Sequence, residues 1–339
     1  HLDFRRQRQM CIRDRTFVVL ALLIWQLRWV LLVLFGAVVV AVALDVLIHQ
    51  LQHRSRLARP QALLVVLAGL LLAGLIIGQL LLPELITQTQ QLGKDLPELV
   101  NKLSGWLGDD PRFAALNQAF GAGVSPENLQ SVGRQLLGVA GGAANSLIQV
   151  LLMVLLAILL ALDPASHRGM VVALTPRPAR EQMALLLDES RQALGGWLTG
   201  MTLSATTVFL LTWGGLLLLK APLALLSALV CGLLTFVPTI GPTAATLLPT
   251  GLALLQSPQL VVSVLVFRLI LQNLEAFLLT PLLLRKTVNL LPTVALMAQL
   301  SLGALLGLPG VLLALPLVVV LQVLMQRVVV QQVMDRWSS

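Results

Sequence analysis

The sequence has very few charged residues for its length. Charged side chains make up 11% of the 339 residues and hydrophobic residues make up 57%, whereas a soluble globular domain carries roughly 25% charged residues. Apolar stretches such as residues 147–162 and 261–271 have no polar face, so they must be buried in protein or face lipid. This composition excludes a soluble enzyme.

Cysteine and histidine are also scarce, with two Cys and four His residues in the chain. Two cysteines imply no disulfide framework, and the four histidines are not clustered as metal ligands would be. Phosphate-loop, zinc-protease and nucleophile-elbow motifs are missing. We therefore expect no enzyme activity, no cofactor and no bound metal, and we expect any active transport to use a solute or ion gradient.

The apolar stretches and the net charge of +8 together indicate a membrane protein. Backbone groups inside a bilayer must bond internally, and the strict alternation of barrel strands is absent, so the stretches are predicted to be helices. We interpret the Lys/Arg excess as the basic cytoplasmic loops of such a protein. No basic-aromatic pattern supports nucleic-acid binding. The predicted fold class is an all-α polytopic protein of the bacterial inner membrane, with the lipid bilayer as its partner.

The first fifteen residues look foreign to the rest of the chain. Residues 5–15 read RRQRQMCIRDR, and residues 10–14, back-translated as ATG TGT ATA AGA GAC, match a common transposase-type sequencing adapter. We interpret residues 1–15 as an adapter artefact, which would mean that the native start is missing, and we exclude them from fold reasoning. The alternative is an ordinary basic cytoplasmic tail.

The N-terminal membrane region, residues 16–82, is followed by a segment of different composition. A spanning helix needs about 20 apolar residues, and the basic connection with Arg54, Arg56 and Arg59 is predicted to be cytoplasmic. Residues 83–134 are acidic and amphipathic, and we expect them to form extracytoplasmic surface helices. The predicted spans before this segment are 16–27, 29–48 and 61–82, the last of which ends at Pro83.

Residues 135–330 form the predicted C-terminal transport region, and residues 331–339 form a tail. The basic segment 163–196 is expected to connect two spans on the cytoplasmic side. Four of the seven predicted helices of this region are short and form two pairs. The predicted helices of the C-terminal region are 136–162, 197–219, 222–236, 243–256, 261–280, 293–306 and 311–323.

The two pairs of short helices are each broken by Pro and Gly residues. Proline interrupts the helical hydrogen bonds and glycine permits sharp turns. Interrupted segments that occur in pairs are a sequence pointer to the binding site of a transporter. Ordinary helix hairpins with tight turns are the alternative. The first break contains Pro238, Thr239, Gly241 and Pro242, with Thr235 just before it, and the second break contains Gly307, Pro309 and Gly310.

Polar residues on the predicted helix 261–280 give the clearest local signal. Arg268, Gln272 and Glu275 share one face at spacings of four and three, and Asn273 lies about a third of a turn away. A charge at mid-membrane almost always faces the bundle interior or water. These residues are candidates for the substrate or ion pathway, with Gln272 as a bridge between the two charges, and a structural polar network is the alternative.

Asp45 and His49 form a second polar pair, four residues apart near the end of helix 29–48. A carboxylate and an imidazole at this spacing could relay protons. The alternative is a pair at the level of the lipid headgroups, and we favour this alternative.

Three stretches of the C-terminal region, TFVPTIGPTAATLLP, QNLEAFLLTPLLLRKTVNLLPTVALMA and GALLGLPGVLLALPLVVVLQVL, resemble the autoinducer-2 exporter family, also described as PerM-type permeases. The resemblance extends over residues 17–330. The sequence departs from the family pattern at Ala276-Phe277, at Gly200-Met201 and around Arg285-Lys286. The matching residues are Pro238, Gly241, Pro242, Gln272, Glu275, Thr280, Pro281, Pro292, Gly307, Gly310 and Pro316.

The resemblance implies about eight membrane helices and the export of a small molecule. Members are linked to the quorum-sensing signal autoinducer-2, and others are linked to sodium/proton antiport. We therefore expect a secondary transporter in which Glu275 couples an ion or proton and Arg268 binds an anionic or hydroxylated group. A cation/proton antiporter and a non-transporting membrane scaffold are the two alternatives. The small residues of the helices would permit a homo-oligomer.

Overall fold

The computed structural model of the protein describes residues 25–108, 143–237, 240–279 and 291–327. These residues are almost entirely helical and form no strand, which confirms the all-α prediction. A π-helical turn, Glu275–Leu279, directly continues the helix Pro258–Leu274. The helices are α1 (Arg28–Arg54), α2 (Arg59–Gly108), α3 (Ala143–Leu162), α4 (Pro164–Leu174), α5 (Arg180–Leu218), α6 (Ala224–Leu234), α7 (Ile240–Gln256), α8 (Pro258–Leu274) and α9 (Pro292–Leu324).

Several of these helices are long and apolar enough to cross a membrane. Their number is five within the described ranges, or six if Ile148–Leu162 and Pro164–Leu174, which meet at an angle of 89°, form one broken span. The chain is therefore a multi-pass membrane protein, whereas the expected total of about eight is not confirmed. The predicted span 16–27 lies mostly outside the described residues.

Helix α2 does not end at Pro83, as the sequence had led us to expect. It runs unbroken for 50 residues to Gly108, or about 75 Å at 1.5 Å per residue, while the apolar core of a bilayer measures about 30 Å. Proline removes one hydrogen bond from a helix, and contacts beyond it compensate for this loss. Gln88 Oε1 accepts a hydrogen bond of 2.8 Å from Leu226 N of α6, and Lys102 Nζ donates one of 3.1 Å to Leu255 O of α7.

The basic segment 163–196, which was expected to be a connection, is mostly helical. Asp163 begins α4 by accepting a hydrogen bond of 3.1 Å from Ser166 N, a common N-cap arrangement. Arg168 of α4 donates to both carboxylate oxygens of Asp188 on α5, at 2.8 and 2.6 Å. The charged part of the segment therefore forms the first turns of a 39-residue helix, α5.

Helices α6 and α7 fold back on each other and form the first hairpin. Cys231 Sγ of α6 lies 3.3 Å from Ala245 O of α7. A Cβ atom on Gly241 would lie only 1.9 Å from Leu234 O, so glycine is required where the two helices approach. The structure therefore confirms the first predicted pair of short helices as a tight hairpin. Pro238 and Thr239 at its turn lie outside the described residues.

The two arms of α9 form the second hairpin. Gly307 has φ 65° and ψ −150°, a conformation that side chains other than glycine rarely adopt. A Cβ on Gly310 would lie 2.1 Å from Leu302 O, so this hairpin is as tightly closed as the first. Pro309 begins the second arm directly after the break, in agreement with the predicted break at residues 307–310.

The two hairpins enter the bundle from opposite ends. The first hairpin is tied to the far part of α2 through Gln88 and Lys102. The second arm of the second hairpin leads to Arg327, which pairs with Glu189 of α5. We call the end of the bundle that contains Arg327, Glu189 and the α1–α2 connection the basic end. The hairpins meet inside the protein, where Phe236 packs against a buried cluster that includes Ala295, Leu315, Val319, Leu194 and Trp197.

Candidate functional site

A buried polar centre lies where α8 crosses α5 and the first hairpin. Arg268 of α8 is only 3% exposed. Its guanidinium donates hydrogen bonds to Thr212 Oγ1 at 3.2 Å, to Thr246 Oγ1 at 3.4 Å and to Pro242 O at 3.4 Å. All three acceptors are uncharged and all three bonds are long for N–H···O contacts. The centre therefore contains a buried cation whose described hydrogen bonds go only to neutral oxygen atoms.

Glu275 lies two turns further along, at the end of α8. Glu275 is half-buried, and its carboxylate lies beside the side chain of Ser204 on α5 and within electrostatic range of Arg268. The predicted juxtaposition of Arg268 and Glu275 on one side of the helix is therefore present. Gln272 is half-buried between them, but the hydrogen bonds of the described structure include none from Gln272 to either residue, so the expected bridge is not observed.

The remaining polar candidates near the centre have local partners. Asn273 is exposed, and its Nδ2 donates to Leu269 O of the same helix at 2.7 Å, so it points away from the centre. Thr235 Oγ1 donates to Cys231 O at 3.0 Å, and Thr246 Oγ1 donates to Pro242 O at 3.0 Å. These hydroxyl groups satisfy carbonyl groups near the hairpin turn, which is the structural role of such residues.

The glycine and proline candidates shape the hairpins. Gly241 and Gly310 permit the close approach of two helices, and Gly307 provides the positive φ angle of the second break. Pro242 has one further role because its carbonyl oxygen accepts from both Arg268 and Thr246. The turn of the first hairpin is thereby attached to the buried cation of α8.

A second polar cluster, the charged junction, joins four helices at the basic end. Asp45 of α1 is 7% exposed, and its Oδ1 accepts from Arg59 Nη2 of α2 at 2.5 Å. Its Oδ2 accepts from both Nε and Nη2 of Arg191 on α5, the former at 2.8 Å. Arg59 also donates to Ala161 O at the end of α3, at 3.0 and 3.1 Å.

Sequence reasoning had noticed Asp45 but paired it with the wrong residue. No hydrogen bond joins Asp45 to His49 in the described structure, and the His49 ring instead lies edge-on to His53 at 5.4 Å. The actual partners are 14 and 146 residues away. An acidic residue in an apolar helix was a valid signal for a buried charge, although its partners could not be read from local spacing.

A cavity of about 2030 Å³ opens beside the charged junction. Residues of α1, α2 and α5 and the end of the second hairpin line it, including Asp45, Asp188 and Arg191. At its edge, Arg327 donates through Nε and Nη2 to the two carboxylate oxygens of Glu189. Within the described ranges, no three His, Cys, Asp or Glu side chains lie close enough together to hold a metal ion.

Apolar spans, two opposed hairpins and a buried charge beside the first hairpin are features of multi-pass membrane proteins of the transporter class. The model of one family, described as AI-2E family transporter, matches residues 15–330, so the chain belongs to this family. The resemblance seen in the C-terminal motifs is thereby confirmed.

A curated relative is also a transport protein by name. "Putative transport protein YrrI" of Bacillus subtilis (strain 168) is 27% identical to this chain over 152 residues. The match covers 45% of this chain and 43% of the relative, so less than half of that protein is represented in the comparison.

Proposed function

We propose that the chain is an inner-membrane permease that exports a small polar molecule, with autoinducer-2 as the first solute to test. The observation that supports this proposal most directly is the chemistry around Arg268. It is a buried guanidinium between α5 and the first hairpin, and its described hydrogen bonds go only to hydroxyl and carbonyl oxygens at 3.2–3.4 Å.

A charge at this depth is costly and is typical of substrate and ion pathways. A guanidinium has five N–H donors in a rigid fork, and long bonds to neutral acceptors satisfy it poorly. A solute with hydroxyl or anionic oxygen atoms would offer better acceptors and could displace Thr212 and Thr246. Family membership supports transport as the activity.

The hairpins supply an element that could move. Non-helical backbone at membrane depth is tolerated only against protein or a water-filled cavity. Each break is enclosed by its own hairpin, and the first is held by the Arg268–Pro242 contact. Movement of a hairpin against α5 and α8 would open the polar centre alternately to the two sides of the membrane.

The test is counterflow of labelled autoinducer-2 in proteoliposomes that contain the purified protein. Wild-type protein is expected to exchange the solute, and Arg268→Gln is expected to lose exchange. Arg56→Gln, which changes an exposed arginine at the basic end, is the matched control and should exchange normally. Normal exchange by Arg268→Gln would contradict the role of the polar centre.

Cation/proton antiport is a second candidate because a half-buried carboxylate, Glu275, lies beside Ser204 and Arg268. Sodium-driven proton flux in the same vesicles distinguishes the two activities, and Glu275→Gln should abolish it. Solute exchange without proton flux favours the exporter, and proton flux without exchange favours the antiporter. If folded protein shows neither solute exchange nor proton flux, the result favours a scaffold. The phenotype of a scaffold should depend on residues 83–134 and not on Arg268 or Glu275.

A further inference from the structure

The second hairpin contains a buried amide that has no partner. Gln299 lies in the first arm of α9 and is 4% exposed. Neither its Nε2 nor its Oε1 has a hydrogen-bond partner in the part of the chain that the structure describes. A primary amide has two N–H donors and an oxygen with two lone pairs, so the whole polar group is unsatisfied.

An unsatisfied amide destabilises a folded protein, and native structures contain few of them. Leucine or methionine at this position would cost nothing in hydrogen bonding and would suit the apolar sequence around it. Since the amide lowers stability, its presence at a buried position needs an explanation. The simplest explanation is that the amide forms hydrogen bonds with a molecule that binds there.

Short hydroxyl side chains in the same protein avoid this problem. Thr199, Thr206 and Thr207 each donate to the carbonyl four residues earlier in their own helix, at 2.7–2.8 Å. The hydroxyl groups of Ser227 and Thr250 also have no hydrogen-bond partner among the described residues, but a rotation about one bond would give either of them such a contact. The longer side chain of Gln299 carries its amide away from the carbonyl of Ala295.

The position of Gln299 relates it to the contact between the two hairpins. Ala295, one turn earlier on the same face, belongs to the buried cluster against which Phe236 of the first hairpin packs. Gln299 lies one helical turn closer than Ala295 to the break at Gly307, which is the turn of the second hairpin. The amide is therefore next to the surface along which the hairpins would have to separate.

We propose that the Gln299 amide lines the solute pathway and forms hydrogen bonds with an uncharged polar group, a hydroxyl or a carbonyl, of the transported molecule. In this proposal Arg268 binds from α8, beside the first hairpin, and Gln299 binds from the second hairpin. This proposal rests on the proposed transport function, and the two are tested by separate measurements.

Accessibility of position 299 is measured first. Purified full-length Gln299→Cys protein in vesicles is treated with a membrane-impermeant thiol reagent, and the modified peptide is identified by mass spectrometry. Labelling at residue 299 that slows in the presence of saturating solute is expected. Ala157→Cys is the control, since Ala157 is fully buried in a separate cluster formed by α1, α2 and α3, and it should remain unlabelled.

A change that removes only the amide is measured second. Gln299→Met keeps the length and apolar stem of the side chain, so we expect an equal or higher melting temperature and a loss of solute exchange of roughly tenfold, the value of one hydrogen bond. Gln299→Asn should retain part of the exchange. Thr250→Val removes another unpaired buried polar atom and should exchange normally.

The two measurements separate the inference from the proposed function. Labelling at residue 299 without any wild-type exchange of autoinducer-2 would reject that solute but support a pathway at Gln299. Normal exchange by Gln299→Met, or an unlabelled Cys at position 299 in vesicles that do exchange, would overturn the inference and leave the proposed function intact.

Discussion

The charged junction at the basic end and the polar centre around Arg268 differ in how completely their charges are matched. At the junction, the carboxylate of Asp45 accepts from two guanidinium groups, with bonds of 2.5 and 2.8 Å. At the polar centre, the hydrogen bonds of the Arg268 guanidinium within the described residues go only to neutral oxygen atoms, at 3.2–3.4 Å. Both central residues are buried, with 7% of Asp45 and 3% of Arg268 exposed.

This difference suggests different tasks for the two clusters. Ion pairs with short bonds to every oxygen of the carboxylate hold helices in one arrangement. A buried cation with weak partners is costly when the site is empty and gains free energy when a better acceptor arrives. The junction therefore has the properties of a structural connection, and the polar centre has those of a binding site.

The largest expected effect is the loss of stability on breaking the junction. Asp45→Ala leaves Arg59 and Arg191 without their shared carboxylate and disconnects α1 from α2 and α5. Removal of one partner from a buried ion pair costs about 3 kcal/mol, and partial exposure of both arginines makes this an upper value. Thermal unfolding in detergent measures the change, and a melting temperature equal to that of wild type would refute a structural role for the junction.

The second expected effect sharpens the comparison at the polar centre. Arg268→Gln should reduce solute exchange by about 100-fold, or roughly 3 kcal/mol, with little change in melting temperature because a poorly satisfied buried charge is removed. Arg268→Lys keeps the charge but loses the guanidinium fork, and it should recover only a small part of the exchange. A large loss of stability with Arg268→Gln would show that the two clusters have the same structural task.

A third expected effect concerns the hairpins on which the polar centre depends. Gly310→Ala places a Cβ 2.1 Å from Leu302 O, and overpacking of this kind costs about 1–3 kcal/mol. The hairpin should open or shift, which lowers both stability and exchange. Gly214→Ala is the control because no atom lies within 4 Å of its added Cβ, so its unfolding curve should match that of wild type.

The smallest expected effect is at the edge of the cavity. Glu189→Gln breaks the pair with Arg327, and because both side chains are about one-third exposed, the loss should be below about 1 kcal/mol. The difference between the variant and wild type should shrink as salt is raised, since ions screen an exposed pair. A loss that is large and independent of salt would place this pair with the buried junction.

The main features of the fold were predictable because their causes are local. Apolar runs indicate spanning helices, and the Pro and Gly residues at 238–242 and 307–310 indicate breaks, so both hairpins could be recognised. The end of α2 was predicted wrongly, because the prediction used only Pro83 as the end signal. In the structure, Gln88 and Lys102 form hydrogen bonds with distant helices beyond this proline. These contacts are tertiary and leave no local pattern.

The candidate site was predicted only in part for the same reason. The spacing of four and three along one helix correctly put Arg268 and Glu275 together. The same spacing rule suggested His49 as the partner of Asp45, whereas Arg191 lies 146 residues away in the sequence. Gln299 was not singled out at all, because a single glutamine in an apolar helix becomes informative only when its surroundings are known.

The length of α2 provides a fixed reference distance for transport experiments. From Arg59 at the charged junction to Lys102 at the first hairpin, 43 helical steps of 1.5 Å give a rod of about 65 Å. A spectroscopic label near Arg59 would be at a known distance from a reference label at the far end of the same rod. Displacement of either hairpin during solute exchange could then be measured against this fixed scale within a single chain.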